Sequence, residues 1–230
     1  MKTIGLIGGM SWQSTTGYYQ HINRQVAQRL GGLHSAKLLL SSLDFAPIAA
    51  QQANEQWSEL GELMTTEARR LENAGAQAVL IGTNTMHFLA EQVQANINIP
   101  LLHIADAAGQ KLNQIGVQHA GLLGTAFTMN KGFYKIRLQE KFGIAVTVPD
   151  APRRADIHRI IYDELCHGTI SSDSRAIYVD AVNDLVKQGC KAIVMGCTEI
   201  GLLLRPQDAQ VPLLDTTTLH CEMAVDFMLQ

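Results

Sequence analysis

Two short stretches of this chain place small polar residues where a buried strand ends. Val79-Leu80-Ile81-Gly82-Thr83-Asn84-Thr85 and Ile193-Val194-Met195-Gly196-Cys197-Thr198-Glu199 each read as an apolar strand, a glycine, and then side chains able to move protons or hydrogen-bond a ligand. Their approaches match too, Leu71…Gly75…Ala78 against Leu185…Gly189…Ala192, at a constant offset of 114 residues. In parallel α/β sheets ligands bind beyond the carboxyl ends of the strands, so both tips lie where chemistry is done. A site assembled from two such tips presents groups from two opposed directions. The tips are not equivalent, because the Cys197 thiol stands where the other tip carries the Thr83 hydroxyl.

A thiol acts as base or nucleophile only as thiolate. A helix starting just after Cys197 would lower its pKa, whereas Glu199 pointing inward would oppose ionisation. Thr198 adds a hydroxyl donor and acceptor. At the other tip, Asn84 and Thr85 can hydrogen-bond a carboxylate or an ammonium group. His87 is either a proton carrier or a half-buried helix residue. A third motif, Gly5-Leu6-Ile7-Gly8-Gly9-Met10-Ser11, leads from a strand into a helix. Glycines there permit a tight turn and close ligand approach, and a helix N-terminus attracts anions. The motif is neither GxGxxG nor a Walker A loop, so a small carboxylate suits it better than a nucleotide, with backbone amides near Met10 as donors. The competing reading is a turn whose glycines serve backbone geometry alone.

Strands of continuous apolar character alternate with helical patterns. Strands are expected at Thr3–Ile7, Ala36–Ser41 and Ala78–Gly82, and helices at Ser14–Leu30, Gln56–Ala74 and near Met86–Ala95. This order predicts an α/β fold of mainly parallel sheets flanked by helices. The second half repeats the first. Ala120-Gly121-Leu122-Leu123-Gly124-Thr125 echoes Ile4-Gly5-Leu6-Ile7-Gly8-Gly9 at an offset of 116, and Val211-Pro212-Leu213-Leu214 echoes Ile99-Pro100-Leu101-Leu102 at 112. We therefore expect two homologous lobes, residues 1–104 with a C-terminal helix within 215–230, and residues 105–214.

Composition narrows the partners. A net charge of −3 offers nucleic acid or an anionic membrane no electrostatic attraction, and no apolar run is long enough to span a bilayer. The N-terminus reads directly as a strand rather than as a secretory leader. The four cysteines have neither CxxC nor metal-ligand spacing, which suits reduced thiols in a cytoplasmic protein, three of them packing residues. The histidines form no HxH or HExxH set, so no metal site is expected. Arg69-Arg70 and Arg153-Arg154 read as solvated surface charges.

At its glycine turn, at Thr83-Asn84-Thr85-Met86-His87, at Gly196-Cys197-Thr198-Glu199-Ile200-Gly201 and at Ser42-Leu43-Asp44-Phe45, the chain resembles the aspartate/glutamate racemase family. The likeness runs nearly end to end and is nearest to the broad-specificity amino-acid racemases of enterobacteria. The resemblance implies two pseudo-symmetric lobes with the active site between them and no cofactor. The family is often dimeric, which makes a homodimer a candidate assembly. It also implies two cysteines on opposite sides of the substrate Cα, one removing the α-proton and the other delivering one. The role acting on the L-enantiomer maps onto Cys197. Its counterpart maps onto Thr83, where this chain departs from the pattern. Candidate substrate-binding residues are Met10, Gln52, Asn84, Thr85, Thr125, Thr198 and Glu199, with His87 as an auxiliary. Leu43–Trp57, which contains Gln52, holds no Lys or Arg, so acidic and neutral amino acids both remain as substrates. A one-cysteine decarboxylase or cis–trans isomerase of the same superfamily, or a non-catalytic amino-acid-binding protein, are the rival readings.

Overall fold

The computed structural model describes residues 1–230. The chain divides into two compact units, Met1–Ile104 with His220–Gln230, and Ala105–Leu219.

The first unit is built on a parallel sheet in the order β2-β1-β3, with β1 at Ile4–Gly8, β2 at Leu38–Ser42 and β3 at Ala78–Ile81. Every residue of β1 and β3 is buried, as strands covered on both faces require. Successive side chains alternate between two cores. Ile7, Val79 and Ile81 pack with Met64 and Ala68 of α3 (Trp57–Asn73). Ile4, Leu6 and Leu80 pack with Tyr18 and Ile22 of α1 (Trp12–Leu30) and with Val225 and Met228 of α11 (Thr216–Leu229). α1 starts two residues before the expected Ser14 because Ser11 caps it, its side chain accepting from the Ser14 N–H at 3.3 Å.

The second unit repeats the plan with order β5-β4-β6-β7, all parallel: β4 at His119–Gly124, β5 at Ala145–Thr147, β6 at Ala192–Gly196 and β7 at Leu213–Asp215. Leu123 and Ile193 pack against Ile157 and Ile160 of α8 (Ala151–Asp163) and Tyr178, Val182 and Leu185 of α9 (Ser172–Lys187). Corresponding backbone bonds recur in the two units. The Val79 N–H donates to Pro100 O at 2.9 Å, and the Ile193 N–H to Pro212 O at 2.9 Å. The Leu101 stretch makes only a bridge to Val79, whereas its counterpart becomes β7.

Two features escape the sequence pattern. A helix, α2 (Phe45–Ala53), contains Pro47, whose missing N–H is harmless in a first turn; Asp44 caps it, accepting from the Ala46 N–H at 3.2 Å. The stretch near Met86–Ala95 divides into a 3₁₀ turn, Thr85–Leu89, and α4, Ala90–Gln94. The paired arginines are also more than solvated charges. Arg69 holds Asn96 O at 3.0 Å, Arg70 pairs with buried Glu67 at 2.5 Å, and Arg154 holds Pro149 O at 2.7 Å. Arg153, half-buried, donates to Ile177 O at 3.3 Å and lies 3.5 Å from Asp184.

Backbone packing requires a glycine in the turn. Gly9 has φ +88°, and a Cβ there would lie 2.1 Å from the Leu43 carbonyl oxygen. The Leu43 N–H donates to Gly8 O at 3.0 Å, and the Gly9 N–H donates to Thr15 Oγ1 at 2.7 Å. Gly9→Ala should therefore destabilise the protein by roughly 3 kcal/mol, combining an unfavourable φ with a steric clash. Gly17→Ala, inside α1 with nothing within 4 Å of the new methyl, should stabilise it by roughly 0.5–1 kcal/mol. Urea midpoints of the two variants against the parent check both signs.

Candidate active site

In the second unit the site is the end of β6. Gly196 closes the strand where β4 also ends, paired with Gly124. A Cβ on Gly196 would come within 2.8 Å of Leu122 Cδ1, and one on Gly124 within 2.8 Å of Gly196 O. The two glycines let the strand ends close up, and Cys197 follows at once. Its side chain is 8% exposed and belongs to the apolar cluster containing Leu165, Tyr178, Ile200 and Leu203. The Cys197 thiol donates to Glu199 Oε2 at 3.0 Å, and the Thr198 hydroxyl donates to the same oxygen at 2.6 Å.

These contacts decide the acidity of the thiol. Burial pushes Cys197 well above the ordinary thiol range, and the Glu199 charge pushes it further; a hydrogen bond from the Glu199 backbone pulls the other way without offsetting them. The helix that follows, α10 (Ile200–Leu203), is a single turn. The lowering expected of a helix N-terminus is thus outweighed, and the inward-pointing Glu199 sets the balance. Thr198 has its proton committed to Glu199 and keeps only acceptor capacity toward a ligand.

Around this pair the other acids are held protonated. Burial, and then Glu199, push Cys166 up to about 12. Tyr162 is raised by burial first and then by Cys197, Cys166 and Glu199; Tyr178 is raised by burial and then by Cys197. Sequence reading did not single out Tyr162 or Cys166. They come from α8 and the turn after it, far from Cys197 in the chain, and their only signal is helical periodicity beside Ile157 and Ile161. His158, also on α8, accepts from the Ala126 N–H at 3.3 Å, and its ring lies 4.8 Å from that of Tyr162. Burial lowers its pKa. That N–H opens α6 (Ala126–Asn130), which Thr125 caps by accepting from the Thr128 N–H at 3.2 Å.

In the first unit the site is the end of β3. The Gly82 N–H donates to Ile7 O at 2.8 Å, and Thr83, half-buried, follows. Asn84, at the N-cap, and Thr85 and Met86 of the 3₁₀ turn are buried. His87 is 2% exposed rather than half-buried. Gln52 of α2 joins them through its amide, which donates to Met86 Sδ at 3.1 Å. Met10 is only 3% exposed and its side chain sits in the core with Ile48 and Met86, so what it can offer a ligand is backbone. No group of three His, Cys, Asp or Glu side chains is placed to hold a metal ion, and no helix is long and apolar enough to cross a membrane.

A repeated parallel α/β fold of this kind is shared with proteins of known family. Residues 7–224 match the model of the Asp/Glu/hydantoin racemase family. A solved structure from Yersinia pestis, described as a candidate Asp/Glu racemase, is 49% identical, covers 100% of both chains and superposes with a TM-score of 0.94. The broad specificity amino-acid racemase RacX of Bacillus subtilis (strain 168) is 21% identical over 218 residues, 93% of this chain and 92% of that protein. A glutamate racemase of Hydrogenobaculum sp. (strain Y04AAS1) is 27% identical over 147 residues, 63% of this chain and 54% of that protein, so the chain spans about half the length of that relative. With the match running from Ile7 to Ala224, the chain belongs to the Asp/Glu/hydantoin racemase family.

Proposed function

We propose that this protein is a cofactor-independent amino-acid racemase that acts on aspartate, glutamate or a broader set of amino acids through Cys197 and Thr83. Membership of the family makes the chain an isomerase. The observation that carries the finer reading is the buried Cys197 thiol donating to Glu199 Oε2 at 3.0 Å. Thiol and carboxylate together hold one proton and one negative charge. Passing the proton to Glu199 leaves a Cys197 thiolate without adding charge to a dry site. The ammonium group of an arriving amino acid favours that transfer. The thiolate then takes the α-proton of the L-enantiomer, and the carbanion left beside the substrate carboxylate needs preorganised donors, for which Asn84 and Thr85 are suited.

Thr83 delivers a proton to the opposite face, directly or through a water, and the proton then in excess on the Cys197–Glu199 pair returns through solvent to restore the Thr83 hydroxyl. The reverse direction is harder, because a standing alkoxide is implausible on a threonine. Enantiomers have equal free energy in solution, so kcat/KM for L and D must be equal. The mismatch between Cys197 and Thr83 therefore shows as slow turnover both ways, with kcat and KM differing separately between the enantiomers.

Three measurements test this. Incubation with L- and D-amino acids in heavy water, followed by NMR, should show α-proton exchange, and Cys197→Ala should abolish it for L-substrates. Retained exchange would remove Cys197 from the mechanism. Exchange without net racemisation, release of carbon dioxide, or binding without exchange would each point to a rival activity. Thr83→Cys should raise turnover roughly tenfold or more by supplying a second ionisable thiol; a folded variant with no gain argues against Thr83 as the second proton-handling position. Glu199→Gln deletes the Glu199 charge, one of the causes that raise the thiol pKa, so Cys197 should titrate lower than in the parent yet still above an ordinary thiol, since burial and the neighbouring Cys166 remain. Alkylation of Cys197 against pH reads that shift. Exchange with L-substrates at neutral pH should nonetheless fall by roughly 10²-fold, as the proton acceptor is gone.

A further inference from the structure

We propose that His87 is a positioning residue, a neutral buried imidazole that fixes Thr83 by holding its backbone carbonyl. The proposal rests on the reading of Thr83 as the second proton-handling position. In a regular α-helical turn the Thr83 carbonyl would accept from the His87 backbone N–H four residues on. Here the turn is 3₁₀, and that N–H goes to Asn84 O at 3.1 Å. The His87 ring supplies the donor instead, with Nδ1 lying 2.8 Å from Thr83 O. The other ring nitrogen sets the tautomer. The Ile104 N–H donates to His87 Nε2 at 3.2 Å, so Nε2 must carry a lone pair and Nδ1 the proton. A ring engaged at both nitrogens by backbone is a strap rather than a proton carrier.

The strap has a rigid backing. The His87 ring packs against His103 at 4.6 Å and edge-on to His220 at 5.6 Å between centroids. His220 is itself held at both nitrogens. Nε2–H donates to Leu102 O at 2.7 Å, and Nδ1 accepts from the Tyr18 hydroxyl at 2.9 Å. All three imidazoles are buried. The segment Leu102–Ile104, the last of this unit before the chain leaves it, is thus tied through two rings, one of which reaches the Thr83 peptide. Locked supporting groups of this kind hold reacting atoms in register, and a displacement of about 1 Å can cost on the order of 10²-fold in rate.

Asparagine and glutamine divide the two ring bonds between them. The Asn amide nitrogen reproduces Nδ1 and can donate to Thr83 O. The Gln amide reaches the Nε2 position and can accept from Ile104 but not serve Thr83. For α-proton exchange, His87→Asn should keep kcat within about fivefold of the parent, and His87→Gln should lower it by roughly 30- to 100-fold with KM changed less than about threefold. Thermal melts confirm that both variants fold. Glutamine matching or exceeding asparagine, or both variants losing activity equally, would overturn the proposal. A readout independent of activity accompanies this. Ring ¹⁵N shifts of His87 should show a protonated Nδ1, and the Thr83 carbonyl ¹³C shift should move in His87→Gln but not in His87→Asn. A protonated Nε2, or an unmoved carbonyl, would also overturn it. Should the parent exchange no α-proton at all, the racemase reading fails while these shifts still decide what His87 holds.

Discussion

The second unit depends on one proton held between the Cys197 thiol and the Glu199 carboxylate in a place that water scarcely reaches. A thiolate beside a carboxylate would be two like charges in a medium that solvates neither, and a lone buried thiol would have nowhere to send its proton. Together, with the thiol donating to the carboxylate, they carry a single charge. Their surroundings keep it single. Burial and that charge hold Tyr162, Tyr178 and Cys166 protonated, and Thr198 steadies the carboxylate with its hydroxyl. The glycines at the ends of β4 and β6 allow the strands to stop side by side, which puts this pair just beyond the carboxyl end of an interior strand.

The first unit solves the positional problem differently. Thr83 follows the same kind of strand end, but no acid or base is placed beside its hydroxyl in the way Glu199 is placed beside Cys197. What the turn provides is fixity. Gly82 is bonded back to β1, the Thr83 carbonyl is bonded to His87, and Gln52 is tied to Met86. The chain is thus repetitive in its architecture and asymmetric in the groups that follow its two strand ends.

Much of the scaffold was legible because buried parallel strands need uninterrupted apolar runs. Ile4–Gly8, Ala78–Ile81 and Ala192–Gly196 could hardly be anything else. The helix at Phe45–Ala53 was not legible, since Pro47 reads as a breaker unless its place in the first turn is known. The glycine turn admitted two readings, and only the position of Leu43, brought in by β2, supplies the packing reason for a glycine at position 9. The pairing of Cys197 with Glu199 lay within two residues and was visible as an alternative. Its outcome was not, because the direction of a side chain and the depth of its burial are set by the packed core.

By itself, the sequence determined the parallel α/β class, the repeat, the two strand ends and the substitution of a hydroxyl for a thiol between them, all of which follow from residue type and spacing. Only the tertiary structure decided what each polar atom is bonded to. It turned Glu199 onto Cys197, took the Thr198 proton away from any substrate, set Met10 into the core, and gave His87 two backbone partners. The reason is physical. Apolar periodicity is a local property, written every two or four residues. Desolvation and hydrogen-bond partnership instead depend on groups that folding brings together, such as His87 with Ile104 or Cys197 with Tyr178.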